Sequence, residues 1–250
     1  VKKPKKIFIY LDDGVDPFGF NQTVHFFKKK LCETRYVIEP VNSQKIIQGA
    51  LQKGCALFVM PGGRDLPYLH ALGKSGCEQI CRYVEEGGSY LGICAGAYFA
   101  SGYVDFQRGG RHEVQGEREL KFFPGRAVGP AIFPKLFQYQ SYAGAYAVDV
   151  LYEKVVMKVY FHGGCFFSEE SISQDIEVLA RYQHVQCSFP AVISLCRGKG
   201  KVILSGVHLE MSTEALIDLS SPLSEIGKDL LSDEKVRDNF FEQILAKLLL

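Results

Sequence analysis

No stretch of this 250-residue chain is apolar over the roughly 18 to 20 residues that a membrane-spanning helix needs. Its amino end is basic but has no long apolar core of the kind that secretion signals carry. Lys2, Lys3, Lys5 and Lys6 therefore read as a solvated tail, although a chain that begins at Val1 leaves open a removed upstream segment. Charge of one sign is also lacking. With 29 basic and 28 acidic residues the net charge is +1, so no general attraction to nucleic acid or to an anionic membrane is expected. Eight cysteines contain no C-x-x-C pair, which argues against a zinc ribbon or a redox dithiol. They read mostly as small buried hydrophobes in a reducing compartment, the cytoplasm. There is no Gly/Ser linker, internal repeat or low-complexity tract, and residues 1–250 are expected to form one domain. The glycine-rich run 109–116 lacks the lysine and Ser/Thr of a phosphate loop, and no strand-GxGxxG-helix unit is present. Arg111-His112-Glu113 has no second ligand pair at metal spacing and reads as a polar loop. Neither cofactor nor metal is expected.

What is present is a rhythm of short apolar runs: 6–11, 35–39, 56–60, 89–93, 155–160, 191–196 and 201–207. Several are apolar on both faces, as strands covered on both sides must be. Helical spacing lies between the early ones, in Phe20, Val24, Phe27 and Leu31 and again in Ile80, Tyr83 and Val84. A closing helix is expected from Asp233, with Val236, Phe240, Ile244 and Leu248 on one face and Ser232 or Asp233 as N-cap. Alternation of strand and helix predicts an α/β fold with a mostly parallel sheet and helices on both faces. The Gly-, Pro- and aromatic-rich stretch from about 103 to 150 departs from that rhythm. It reads either as an inserted set of short antiparallel strands or as a structured lid.

Three motifs carry chemistry, each after a predicted strand. In Gly92-Ile93-Cys94-Ala95-Gly96 a cysteine stands between two glycines, where a strand turns sharply into a helix. Such a turn strains the nucleophile's backbone and needs bare Cα positions beside it. The amide of Ala95 would point at the same spot and hold an oxyanion. In Gly206-Val207-His208-Leu209-Glu210, residues two apart in an extended segment share a side, so His208 could serve as base and Glu210 as its orienting acid. Pro61-Gly62-Gly63 makes a tight turn whose amides, Gly63 above all, offer a second oxyanion donor. Arg64 and Asp65 would flank the pocket, Arg64 either binding a substrate carboxylate or pairing with a nearby acid. His162-Gly163-Gly164 follows the strand 155–160 and either lines the same pocket or makes an ordinary turn. Tyr98, one turn beyond Cys94, is a further candidate for substrate contact.

In this order, PGG, G-x-C-x-G and H-x-E, the motifs resemble those of class I glutamine-amidotransferase-like domains. The longer strings PGGRDLPY, GGSYLGICAGAYFAS and FFPG are similar to the amino-terminal domain of biotin protein ligases over nearly the whole chain, from about Ile7 to Glu210. The resemblance implies a flavodoxin-like three-layer sandwich. It also implies Cys94 as nucleophile, His208 as base, Glu210 as orienting acid, and Gly63 with Ala95 at the oxyanion. The expected activity is thiol-dependent hydrolysis or transfer of an amide of a small molecule or peptide, acting alone or with a partner synthetase or ligase chain. A non-catalytic module that binds a ligand or protein in the same pocket is the alternative. Two departures are visible: Leu209 stands where the amidotransferases usually have proline, and His162 where this family often has asparagine, altering the pocket's donors and its charge near neutral pH. No Gly-Arg-Gly-Arg segment of the biotinyl-adenylate-forming type is present, so biotinylation by this chain alone is not expected.

Overall fold

In three short strands alternate apolar residues point to opposite faces of one sheet, and both sets are buried. In β1 (Lys5–Tyr10) Ile7 and Ile9 belong to one apolar cluster and Phe8 and Tyr10 to another. After α1 (Pro17–Lys30), β2 (Tyr36–Val41) and α2 (Ser43–Ile47), strand β3 (Cys55–Met60) divides in the same way, Leu57 and Val59 against Phe58 and Met60. Beyond α3 (Asp65–Glu85), β4 (Ser89–Ile93) repeats it with Leu91 and Ile93 against Tyr90. The computed structural model describes residues 4–133, 135–183 and 188–250; Lys2, Lys3 and Cys187 lie outside them.

The chain continues through α4 (Ala95–Phe99), β5 (Ser101–Phe106), β6 (Val114–Glu117), β7 (Phe123–Gly129), β8 (Ala145–Tyr152), β9 (Val155–His162) and β10 (Phe166–Phe167). It closes with β11 (Ile176–Tyr182), β12 (Pro190–Arg197), β13 (Gly200–Ser205), α5 (Thr213–Ile217), α6 (Leu223–Leu230) and α7 (Glu234–Leu249). The main sheet has the order β2-β1-β3-β4-β13-β12-β11-β8-β9. From β2 to β13 neighbours run parallel, and from β13 to β9 they run antiparallel. The expected mostly parallel sheet is thus corrected to a mixed one. The physical reason lies in two tight connections. Gly198-Lys199, with Gly198 at φ +59°, joins β12 to β13, and Glu153-Lys154 joins β8 to β9. Two-residue links permit only antiparallel neighbours.

The helices α1 and α7 cover the Ile7/Ile9 face, and α2 and α3 the Phe8/Tyr10 face. Asp16 caps α1 by accepting from the Gly19 N–H at 2.6 Å, with Pro17 at the first helical position. Its buried stripe is rotated from the expected one: Gln22, Thr23, Phe26 and Phe27 are inside, because the helix wedges against α7 as well as the sheet, Phe26 meeting the edge of Phe241 at 4.4 Å. In α7, Phe240, Ile244 and Leu248 are buried as the spacing predicts. Asp233 is its N-cap position, but its carboxylate accepts from the Lys158 N–H at 2.8 Å instead of capping the helix.

The irregular middle stretch builds a second sheet of order β10-β7-β5-β6, in which β5 and β7 are parallel and the other pairs antiparallel. Val104, Phe106, Phe123 and Phe167 from this sheet share an apolar cluster with Phe58 and Tyr90 of the main one. Residues 137–143 then run over the carboxyl edge of β4 on their way to β8.

Candidate active site

Strand β4 ends at Ile93 and α4 begins at Ala95, so one residue makes the turn. Cys94 adopts φ 50° and ψ −105°, a left-handed conformation that is strained for a side chain with Cβ. The glycines on either side are required by contact. A Cβ at Gly92 would lie 2.5 Å from the Gly96 carbonyl oxygen, and one at Gly96 would lie 2.0 Å from that of Met60. The Cys94 N–H donates to the Ser205 carbonyl at 2.8 Å, extending the β4–β13 pairing by one residue. That parallel pairing brings Cys94 and Ser205 together across 111 residues of chain.

Past Ser205 the chain leaves the sheet. Strand β13 is shorter than its apolar run suggests; His208 follows in an isolated antiparallel bridge to Tyr160, and Glu210 lies in the turn after it. His208 is placed by its own N–H, which donates to the Tyr160 carbonyl at 2.9 Å. Its Nδ1 lies 2.8 Å from Glu210 Oε1, and a carboxylate can only accept, so Nδ1 carries the proton. Both side chains are more than nine-tenths buried. Burial alone drives His208 toward neutrality, but the Glu210 charge and hydrogen bonds to Cys94 and Glu210 outweigh it and hold its pKa well above the ordinary histidine value. Contact between the motifs is close: a Cβ on Gly62 would lie 2.9 Å from His208 Cε1 and 3.7 Å from Cys94 Cβ. The Cys94 thiol also has the His162 carbonyl at 3.6 Å.

These residues open into a cavity of about 850 Å3. Gly62, Gly63, Ala95 and Tyr98 line it too. Gly63, at φ +145°, pairs with Val15 in an antiparallel bridge made by Asp16 N–H to Gly62 O, 3.1 Å, and Arg64 N–H to Gly14 O, 2.8 Å. In such a pair the central residue's own N–H points away from the bridge, and no partner strand consumes it. Helix α4 likewise leaves the Ala95 N–H without an acceptor within the helix.

Arg64 and Asp65 both line the cavity but differ in commitment. Arg64 is half exposed and only 4.0 Å from Asp13. Asp65 is held at 2.6 Å by Arg118, which is buried. Tyr98 is buried with its hydroxyl donating to the Gly163 carbonyl at 3.0 Å. Gly163, at φ +71°, lines the cavity, whereas Gly164 lies behind the wall, where a Cβ would sit 1.6 Å from the Gly206 carbonyl oxygen. His162 faces the cavity against the Phe137 ring, centroids 4.9 Å apart. Burial, reinforced by the charge on His208, pushes its pKa down to about 4. It therefore adds no charge near neutral pH.

Several participants were not singled out by motif. Residues 13–16 supply the bridge to Gly63, and the Tyr68 hydroxyl donates to the Gly62 carbonyl at 2.9 Å. Asp-Asp-Gly-Val-Asp-Pro directly after an apolar strand was a readable signal for a loop at the same sheet edge. Phe137, Tyr139 and Tyr142 form a wall that no local pattern announces. His112 stacks edge-on to Tyr139 at 5.1 Å, and among the described residues no cluster of His, Cys, Asp or Glu suits a metal ion.

A family model described as biotin-protein ligase, N terminal, matches residues 5–250. An uncharacterized protein of Chlamydia muridarum (strain MoPn / Nigg) is 37% identical over 213 residues, 84% of this chain and 82% of that one. The biotin--protein ligase of Schizosaccharomyces pombe (strain 972 / ATCC 24843) is 36% identical over 220 residues, covering 85% of this chain. This chain spans only 33% of that ligase's length. Among solved structures, a putative ThuA-like protein from Bacteroides uniformis matches with a TM-score of 0.54 at 16% identity, over 96% of this chain and 97% of that one. At such identity the likeness is one of fold alone. Among the described residues no helix is long and apolar enough to cross a membrane.

Proposed function

The chain belongs to the biotin-protein ligase N-terminal family, and from that premise we propose that it is a cysteine-nucleophile amide hydrolase or acyl transferase. With its proton already held by the charged His208, the Cys94 sulfur attacks the carbonyl, forming a tetrahedral adduct whose oxyanion is held by the Gly63 and Ala95 amides. His208 returns the proton to the departing amine, leaving a thioester that water or a second amine resolves. Glu210 orients His208 and stabilises its charged form. The observation that carries this reading is the strained Cys94 turn, set beside a buried imidazole whose other nitrogen is bound to a carboxylate at 2.8 Å. The substrate is a small-molecule or peptide amide, and an acceptor other than water would come from a partner synthetase or ligase chain. The cysteines among the described residues are all free, which supports a reducing compartment, the cytoplasm.

The test is the pH dependence of Cys94 alkylation by iodoacetamide, followed by intact mass, in the wild type and in His208→Ala. Rapid labelling at neutral pH in the wild type, slowed on the order of 100-fold in the variant, is the expected result. Slow labelling with the same profile in both proteins would sink the proposal. It would leave a binding module, a reading favoured by the thiol's contact with the His162 carbonyl.

A further inference from the structure

The apolar lining of the cavity divides into two beds that belong to different packing clusters. One lies along the helix that follows the nucleophile. Tyr98, one turn beyond Cys94, meets Phe106 edge-on at 5.7 Å, and Phe106 meets Phe137 in the same way at 5.3 Å. All three rings are buried in one cluster and border the cavity. The other bed lies at the imidazole. The Tyr160 ring packs against His208 with centroids 5.6 Å apart, and Met211 follows Glu210 directly in the chain. Tyr160 and Met211 are buried in a separate cluster on which Phe18 packs, and these three border the cavity as well. The reaction proposed above assigns the two beds. Attack by sulfur forms a C–S bond and breaks the C–N bond, so the acyl half stays on Cys94 while the amine half leaves with the proton from His208. A departing nitrogen within reach of His208 sets its substituent on the bed of Tyr160, Met211 and Phe18. A primary amide would leave that bed bare, because ammonia needs little more than the roughly 30 Å3 share of a water molecule. An apolar wall contributes to binding only where a substrate covers it. The cavity, at about 850 Å3, lies in the range of sites that enclose a whole drug-sized molecule.

We infer that the substrate is a secondary amide with an apolar group on each side of the scissile bond, its amine half resting on Phe18, Tyr160 and Met211. This rests on the cavity being the catalytic site proposed above, and it narrows the substrate class: N-substituted amides are selected over primary ones. The selection follows from area. Covering a side chain of aromatic size is worth roughly ten- to hundred-fold in affinity, and only a substituted amine supplies that surface at His208.

The test compares 2-phenylacetamide with N-benzyl-2-phenylacetamide, which share the acyl half and differ in the amine half. Binding is measured by calorimetry in Cys94→Ser protein, which cannot form the thioester. The secondary amide is expected to bind roughly ten- to hundred-fold more tightly. Met211→Ala and, separately, Phe18→Ala in the same background should each narrow that gap several-fold. Phe18 is half-buried in the first turn of α1, so its truncation spares the core. Tyr139 borders the cavity on the other bed, its ring 5.1 Å from that of Phe137, so Tyr139→Ala should weaken both ligands alike and leave the gap. Equal binding of the two compounds, binding of neither, a gap that survives both Met211→Ala and Phe18→Ala, or one that closes only in Tyr139→Ala would each overturn the inference. Failure of the triad would show instead as equally slow Cys94 alkylation in the wild type and in His208→Ala, a separate result on separate proteins.

Discussion

The two walls of the cavity each carry a histidine, one buried and one half-buried, and the two are driven in opposite directions. On the wall built by the parallel strands β4 and β13, His208 has a carboxylate at 2.8 Å and its pKa is raised well above the ordinary value. On the wall built by the end of β9 and residues 137–143, His162 makes no ion pair among the described residues, and burial, reinforced by the charge on His208, lowers its pKa to about 4. Burial opposes charge in both; what separates them is a single formal charge placed within hydrogen-bond reach. One wall thereby holds a charged imidazole and the other a neutral one.

Removing that charge should break the contrast most strongly. With Glu210→Gln, burial of His208 is no longer offset, so its pKa should fall below 6.5 as that of His162 does. Cys94 alkylation at neutral pH should drop on the order of 100-fold, checked by intact mass and an imidazole NMR titration. If His208 stays charged in the variant, the assigned role of Glu210 is wrong.

The two histidines also predict opposite slopes in stability against pH. His162, depressed from 6.5 to about 4, contributes stability that is present above pH 6.5 and is lost as pH falls toward 4. His208, raised, contributes stability that is present below its unfolded value and is lost as pH rises through its folded one. Urea midpoints should accordingly fall on both sides, and His162→Phe should flatten the acid limb alone. An unchanged acid limb would count against a buried neutral His162.

A smaller effect is expected from Gly62→Ala, whose new Cβ would press on His208 Cε1 at 2.9 Å. Displacing the ring by a few tenths of an ångström should slow Cys94 alkylation by about ten-fold, while His162 keeps its titration. Equal alkylation rates in variant and wild type would place His208 farther from the turn than described. Smallest is Tyr98→Phe, which removes the hydroxyl that ties α4 to the Gly163 carbonyl across the gap between the walls. A loss of about 1 kcal/mol in denaturant stability is expected, and no loss would mean that the walls are joined by packing alone.

The legibility of the two walls in sequence differs for the same reason that their chemistry does. Everything on the triad wall follows a short apolar strand, and the βα rhythm puts the ends of parallel strands on one edge. Cys94, His208, Gly62 and Gly63 could be read because their motifs are local and their strands neighbour one another in the sheet. Even there a detail escaped. His208 and Glu210 meet through a turn after Ser205, where Ser205 Oγ donates to the Val207 carbonyl at 2.6 Å, rather than through extended geometry. The other wall is assembled from β9 and residues 137–143, which meet the site only because β8 and β9 pair at the far end of the sheet and the intervening chain crosses the cavity. No periodicity in Phe137-Gln138-Tyr139 announces that path.

The amino-acid sequence by itself determined the strained turn at Cys94, since only glycines tolerate the contacts on either side of it, and the apolar alternation that buries β1, β3 and β4 on both faces. Tertiary structure alone decided the order of the strands in the sheet, the pairing of Asp65 with Arg118, and the protonation of the two histidines. Those depend on which charges and carbonyls fold to within a few ångströms of a side chain, a distance that no spacing along the chain encodes.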